Sequence, residues 1–137
     1  MKHFFLIIGM GLLFNSTGHA ATKALDGQTI FNKNCSACHS VNPPPKLAPP
    51  ITPLASRYHL SFKTKKDGVN HLAAYLKLPK KENSIDPQAI TRFGLMPPIA
   101  LSAAELNVVA AWVWDQNNPA MGMGRGFGGQ GRGARTP

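Results

Sequence analysis

The segment Cys35-Ser36-Ala37-Cys38-His39 decides the fold of this chain. Its two cysteines are three positions apart and are the only cysteines among the 137 residues. Two thiols at this spacing can reach the two vinyl groups on one edge of a porphyrin, and the histidine that follows comes over the ring centre, where its Nε2 can bind iron. The segment therefore predicts one haem c, attached covalently through Cys35 and Cys38, with His39 as an iron ligand.

Three other kinds of site use part of the same segment. A thioredoxin-like redox pair needs a βαβ context, and the sequence has no alternating strand pattern. A zinc site needs four ligands, and only Cys35, Cys38 and His39 cluster in the sequence. A plain disulfide leaves His39 without a role, and it leaves a modest core without the support that a large buried cofactor provides. Haem attachment accounts for all three residues.

The first twenty residues are typical of a secretory signal peptide. A short polar start precedes an apolar run at 4–14, and the small residues Gly18 and Ala20 occupy the two positions that an export peptidase reads. As a helix this run spans roughly 17 Å, too short for a hydrocarbon core of about 30 Å. We therefore expect cleavage after Ala20 and a soluble protein in the periplasm.

The spacing of apolar residues predicts an all-α domain over residues 21–118, with three to five helices wrapped around one covalently bound haem and joined by long loops. Predicted helical segments lie at 26–35, 67–78, 87–93 and 103–116. Asp26 suits the N-cap of the first segment, and Ser102 with Glu105 forms a capping box at the last.

Two stretches of the chain are predicted to lack regular structure. Residues 42–53 contain six prolines, a density that predicts an extended loop. Residues 119–137 are rich in glycine and arginine and have too little apolar area to offset the backbone entropy lost on folding. This C-terminal segment is interpreted as a disordered basic tail.

Met96 is the candidate for the second axial ligand of the iron. Two of the five methionines leave with the signal peptide and two lie in the tail, so Met96 is the only one in the predicted domain. It lies in an extended stretch well downstream of His39, from which it can wrap to the other side of the ring. A lone methionine also serves to fill a core. A bis-imidazole centre would instead use His59 or His71, which are interpreted as surface residues.

Residues 24–116 resemble the class I c-type cytochromes. Gly27-x-x-x-Phe31 is similar to the first helix of that family, the segment 101–113 to its last helix, and Met96-Pro97 to its ligand loop. The resemblance implies that the first and last helices cross closely, with Gly27 against Trp112.

The resemblance also implies a hydrogen bond behind the haem ligand. In the family, a proline carbonyl accepts the Nδ1–H of the proximal histidine, which holds the ring and raises its basicity. Pro49 is the candidate for this role, and Pro50 is the alternative.

With His39 and Met96 filling both axial positions, no substrate reaches the iron, and the expected function is one-electron transport between periplasmic or membrane redox enzymes. The chain is then a carrier and not an enzyme. Two alternatives stay open at this point. The domain can be a fixed haem subunit docked on a larger dehydrogenase or oxidase, or a haem peroxidase or gas-binding protein with a labile sixth ligand.

The charge of the chain points to acidic redox partners. The chain has fifteen Lys and Arg residues and six Asp and Glu residues, which gives a formal net charge of +9. Six lysines fall close together in the sequence: Lys63, Lys65, Lys66, Lys77, Lys80 and Lys81. They are interpreted either as a solvated face or as a patch that steers the protein towards an acidic docking surface. Nucleic acid is excluded as a partner because the chain is expected to be exported.

Overall fold

A computed structural model describes residues 24–122, and the predicted signal peptide and most of the predicted tail lie outside this range. Within it the chain is all-helical, with no strand. Five helices have seven residues or more: α1 Gly27–Asn34, α2 Ile51–Ser61, α3 Lys65–Lys77, α4 Pro87–Phe93 and α5 Ala103–Asp115. The remaining elements are a 3-10 turn at Lys81–Asn83 and a four-residue helix, α6, at Pro119–Gly122. The all-α prediction is confirmed.

Side-chain caps explain where four of the helices begin, and Asp86 supplies the cap of α4. The Asp26 carboxylate accepts from the Thr29 amide at 2.8 Å, and Asp67 N–H donates to the Thr64 hydroxyl at 3.2 Å. Ser102 and Glu105 form the predicted capping box at α5. Because Thr64 is the cap, α3 begins at Lys65, two residues before the predicted start.

The prediction that residues 42–53 form an extended loop is wrong at its C-terminal end, because α2 begins at Ile51 and includes Pro53. The amides of Ile51 and Thr52 donate to the carbonyls of Ser40 and Val41, both at 2.9 Å. Pro53 occupies the third helical position, where the missing N–H breaks no intrahelical bond. Helix α2 as a whole was not predicted.

The predicted boundary of the disordered tail also needs correction. The sequence places its start at residue 119, whereas Pro119–Gly122 is helical and packs against α2. The Ser56 hydroxyl on α2 donates to the Asn117 side chain at 2.9 Å just before this turn. Residues 123–137 of the predicted tail lie outside the described range.

Helix α5 is the centre of the core, and α1, α2 and α3 all pack against it. Its apolar stripe, Leu106, Val109, Ala110 and Val113, is buried as predicted, and Trp114 is buried with it. Phe31 of α1 stacks on Trp112 with ring centroids 4.7 Å apart. None of the helices in residues 24–122 is long and apolar enough to cross a membrane.

Candidate cofactor site

The segment from Cys35 to His39 forms one further turn at the end of α1. Cys35 N–H donates to the Phe31 carbonyl at 2.8 Å, and His39 N–H donates to the Cys35 carbonyl at 2.9 Å. Cys35 is half-buried, Cys38 is exposed, and the two thiols are free. Burial, with a smaller contribution from the neighbouring Cys38, raises the pKa of the Cys35 thiol. Cys35 is therefore held as a neutral thiol at the edge of the core.

The ring of His39 is fixed by the loop that precedes α2. Its Nδ1 lies 2.7 Å from the Pro49 carbonyl oxygen. A carbonyl can only accept, so Nδ1 carries the proton and Nε2 keeps its lone pair. Burial lowers the pKa of His39, and the bond to Pro49 opposes this in part. The side chain is thus a neutral imidazole with Nε2 ready to bind a metal, and Pro49, not Pro50, is the partner.

The ring of His39 faces a cavity in the middle of the molecule. The cavity encloses about 790 Å³ of space free of protein atoms, part of it open to solvent at the mouth. Most of its lining is apolar and comes from five helices: Phe31, Leu54, Leu72, Leu76, Ala89, Ile90, Val109 and Val113. Cys35 and Met96 line the same cavity. Its apolar lining suits a mostly apolar ligand.

Met96 reaches the cavity from the segment after α4. This helix ends at Phe93 and is followed by Gly94, whose φ of +85° favours glycine. Met96 is partly buried against the core, and Pro97 and Pro98 keep the chain extended after it. Ile99 N–H then donates to the Leu76 carbonyl at 3.0 Å, which ties the segment to the end of α3. The structure therefore brings Met96, His39 and Cys35 to one cavity.

Cys38 lines a neighbouring pocket, which we call the mouth because it shares Cys35, His39, Pro49, Gly94 and Met96 with the cavity. Its carbonyl accepts from the amides of Leu47 and Ala48, both at 3.1 Å, so the loop folds back over the Cys-x-x-Cys-His turn. The mouth is lined by Cys38, Leu47 and Ala48 from one side and by Leu95 to Pro97 from the other. Leu47 is 73% exposed and Leu95 is 42% exposed, so an apolar surface surrounds the opening.

His59 and His71, the alternative axial ligands, do not line the cavity. The prediction that they are surface residues is wrong, because both are partly buried and each packs against aromatic side chains. His59 stacks on Trp114 with centroids 3.9 Å apart, and its Nε2 contacts the Trp114 carbonyl at 3.0 Å. His71 packs against Phe62 and Tyr58, and its Nδ1 is buried without a hydrogen-bond partner.

Sequence reasoning missed several polar groups of the cavity lining, namely Tyr58, Tyr75, Ser84 and Asp86. Burial, and secondarily the neighbouring Tyr75, raises the pKa of Tyr58, so its phenol stays protonated and can donate a hydrogen bond. The signal that points to Tyr58 is its place on α2, four residues after Leu54 on the same helical face. Because α2 was not predicted, that signal was not available.

The residues around the cavity fit a haem. The Cys35 thiol lines the cavity and Cys38 lies on the same turn, a neutral imidazole with a free Nε2 faces the interior, and a thioether lines the same space between apolar walls. A Cys-x-x-Cys-His segment in this setting supplies both the covalent attachment and one axial ligand. A disulfide or a zinc site would leave the apolar cavity and Met96 without a role.

Comparisons with known proteins agree with this fit. The sequence model of the family described as Cytochrome c matches residues 24–117. An uncharacterised protein of Aquifex aeolicus (strain VF5) is 28% identical over 108 residues, a match that covers 64% of this chain and 71% of the relative. No solved structure matches the chain. The family match spans well over half of the sequence and includes all the helices that line the cavity, so this chain belongs to the cytochrome c family.

Proposed function

We propose that this protein is a one-electron carrier in which Cys35 and Cys38 attach a single haem c and His39 and Met96 are its axial ligands. One observation carries the proposal: His39, with its Nε2 free, lines the same apolar cavity as Met96. When bound, the haem supplies a reversible one-electron change at iron. The family match supports electron transport as the general role.

Each residue contributes a distinct physical effect. The Pro49 carbonyl holds the His39 ring in one orientation and raises its basicity. The thioether of Met96 is a soft donor that favours the ferrous state, and the apolar walls penalise the additional charge of the ferric state. Both effects raise the reduction potential. With both axial positions filled, substrates are kept from the iron, which supports a carrier over an enzyme.

The proposed carrier works outside the cytoplasm. Residues 1–20 are proposed as a signal peptide and residues 21–118 as the mature haem domain, which places the protein in the periplasm. N-terminal sequencing of the protein recovered from cells tests this, and we expect the first residue to be Ala21. An intact Met1 on the haem-loaded protein would contradict export with cleavage.

The partners are proposed to be redox proteins with acidic docking surfaces. The apolar residues at the mouth, Leu47 and Leu95, support direct contact close to the haem, and the exposed lysines support electrostatic steering. The same mouth also suits a domain held permanently on a larger dehydrogenase or oxidase. Co-purification with such an enzyme in stoichiometric amounts would favour the fixed subunit over the mobile carrier.

Met96→Ala tests the axial ligation. The oxidised wild-type protein should show the weak thioether–iron absorption band at the red end of the spectrum, and Met96→Ala should lose it. The variant should also have a lower reduction potential and bind azide or carbon monoxide at neutral pH, since the sixth position is then open. Met123→Ala, the same substitution in the C-terminal segment, is the matched control. A band that persists in Met96→Ala would rule out this ligand.

A further inference from the structure

Helix α4 forms one wall of the cavity but has little protein core of its own. None of its seven residues is buried. The main helix packing in the described range, around α5 and between α2 and its neighbours, does not include α4. Its inner residues, Ala89 and Ile90, face the cavity instead. Helix α4 thus has few packing contacts with the protein core, and links to neighbouring elements matter more for its position.

An ion pair provides such a link at the beginning of α4. Arg57 on α2 and Asp86 before α4 approach to 3.2 Å between Nε and Oδ2. A groove lies between the two helices, and both residues line it. The Asp86 side chain is only 13% exposed and that of Arg57 is 45% exposed, so the pair is partly shielded from water. The pair therefore joins α4 to a helix that packs on the core.

The two carboxylate oxygens of Asp86 serve different partners. Oδ1 accepts from the Ala89 amide at 3.2 Å and so caps α4, whereas Oδ2 pairs with Arg57. Because the two oxygens have different partners, a substitution can remove one interaction and keep the other. Asparagine keeps an acceptor for the cap but removes the charge that attracts Arg57, so the ion pair can be tested separately from the helix.

The position of Met96 depends on this wall. Gly94 N–H donates to the Ile90 carbonyl at 2.8 Å, and Met96 follows two residues later. Downstream, Ile99 is the next residue with a backbone bond to the core, at Leu76. Met96 therefore lies on a segment anchored at Asp86 before α4 and at Ile99 after it. Release of the first anchor would let the helix and the thioether move away from the cavity together.

We propose that the Arg57–Asp86 ion pair is a positioning device that holds α4 against the cavity and thereby limits how readily Met96 leaves the iron. The inference rests on the proposed axial ligation. Partly exposed ion pairs contribute only modestly to global stability. An ion pair contributes a larger fraction of the free energy of a local opening than of global unfolding, because few other contacts oppose the local opening.

The test is the rate at which imidazole displaces Met96 in the oxidised, haem-loaded protein, followed by loss of the thioether band. At saturating imidazole this rate reports opening of the Met96 segment. Arg57→Gln and Asp86→Asn should each speed displacement roughly two- to five-fold, the range expected for losing one such pair. The double variant should be no faster than either single variant, since both remove the same interaction. Arg57→Lys keeps the positive charge, so its displacement rate should stay close to that of the wild type.

Lys65→Gln is the matched control, because Lys65 pairs with Asp115 at 2.7 Å and joins α3 to α5 away from α4. This variant loses one charge and one ion pair but should displace Met96 at the wild-type rate. Wild-type rates in Arg57→Gln and Asp86→Asn, or an equal increase in Lys65→Gln, would overturn the positioning role alone. A wild-type protein without the thioether band would instead overturn the proposed ligation, and this inference with it.

Discussion

At the scale of single residues, the crossing of α1 and α5 depends on the absence of a side chain at Gly27. A Cβ built there would overlap the Cβ of Trp112 and lie 2.8 Å from the Val108 carbonyl oxygen. The second contact is with backbone, which cannot turn aside as a flexible side chain can. The close approach also lets Phe31 stack on Trp112, next to the point where Cys35 begins the cofactor segment.

Gly27→Ala should therefore destabilise the folded protein by about 1 to 3 kcal/mol, the usual cost of forcing additional atoms into a packed site. This outweighs the gain of roughly 0.5 to 1 kcal/mol expected from replacing glycine by alanine in a helix. Chemical denaturation of the haem-loaded protein measures the difference. Asn32→Ala, at an exposed position of the same helix, should change stability by less than about 0.5 kcal/mol. Equal effects of the two substitutions would contradict a tight crossing.

The residues proposed to hold the haem were accessible to sequence reasoning for different reasons. Cys35, Cys38 and His39 are adjacent, so their chemistry is visible without a fold. Met96 was identified because it is the only methionine in the predicted domain. Tyr58 was not identified because α2 was not predicted, and nothing in the sequence marks Asp86 as a residue of the cavity. Only the packing of α2 and α4 around the cavity shows that they line it.

At the scale of helices, prediction succeeded for α1 and α5, where a local side chain sets the start, but it missed the Thr64 cap and placed the start of α3 two residues late. Asp26 and Ser102 cap α1 and α5 as predicted, because each cap is a contact within three residues. Helix α2 has no side-chain cap. Its first amides are satisfied by carbonyls of residues 40 and 41, ten or more positions away in sequence, and no local pattern reports such contacts.

The capping box of α5 should make stability depend on pH in a defined way. Hydrogen bonds from the Ser102 hydroxyl and amide lower the pKa of Glu105 below 4.5. The unfolded chain thus takes up a proton at a higher pH than the folded one does. The stabilisation is complete above a pH of about 4.5 and is lost as the pH falls through the lowered pKa.

Glu105→Gln should be less stable than the wild type at neutral pH, and its stability should fall less steeply below a pH of about 4.5. Denaturation midpoints measured between neutral and acidic pH give both quantities. Glu82→Gln makes the same charge change at an exposed position of the 3-10 turn. The denaturation midpoint of this variant should change with pH as that of the wild type does. If the stability of Glu105→Gln and of the wild type fell in parallel as the pH was lowered, the capping box would not be the cause of the acid dependence.

At the scale of the whole molecule, the six lysines that are close in sequence form two separate groups. Lys63, Lys65 and Lys66 lie at the beginning of α3, where Lys65 pairs with Asp115 at the end of α5. Lys77, Lys80 and Lys81 lie at or after the other end of this helix. A 13-residue helix is about 18 Å between its first and last residues, beyond the screening length of roughly 8 Å at physiological salt.

The second group follows the end of α3 that a backbone hydrogen bond joins to the mouth of the cavity. Leu76 at the end of α3 accepts from Ile99, and Ile99 lines the mouth together with Cys38 and Met96. A partner that approaches the mouth would meet Lys77 and its neighbours before it met the lysines at the far end. The sequence could not separate the two groups, because their separation comes from the length of α3 and its packing on α5.

Replacing Lys77, Lys80 and Lys81 by glutamine should slow electron transfer to an acidic redox partner. Replacing Lys63, Lys65 and Lys66 in the same way should slow it much less, although both triple variants lose three positive charges and keep the same net charge. The difference should be largest at low ionic strength and should shrink as salt is added, since screening removes steering at a distance. Stopped-flow mixing with the reduced partner at several salt concentrations measures these rates. Equal slowing in the two variants would mean that net charge alone attracts the partner, and that the lysines beside the mouth have no directional role.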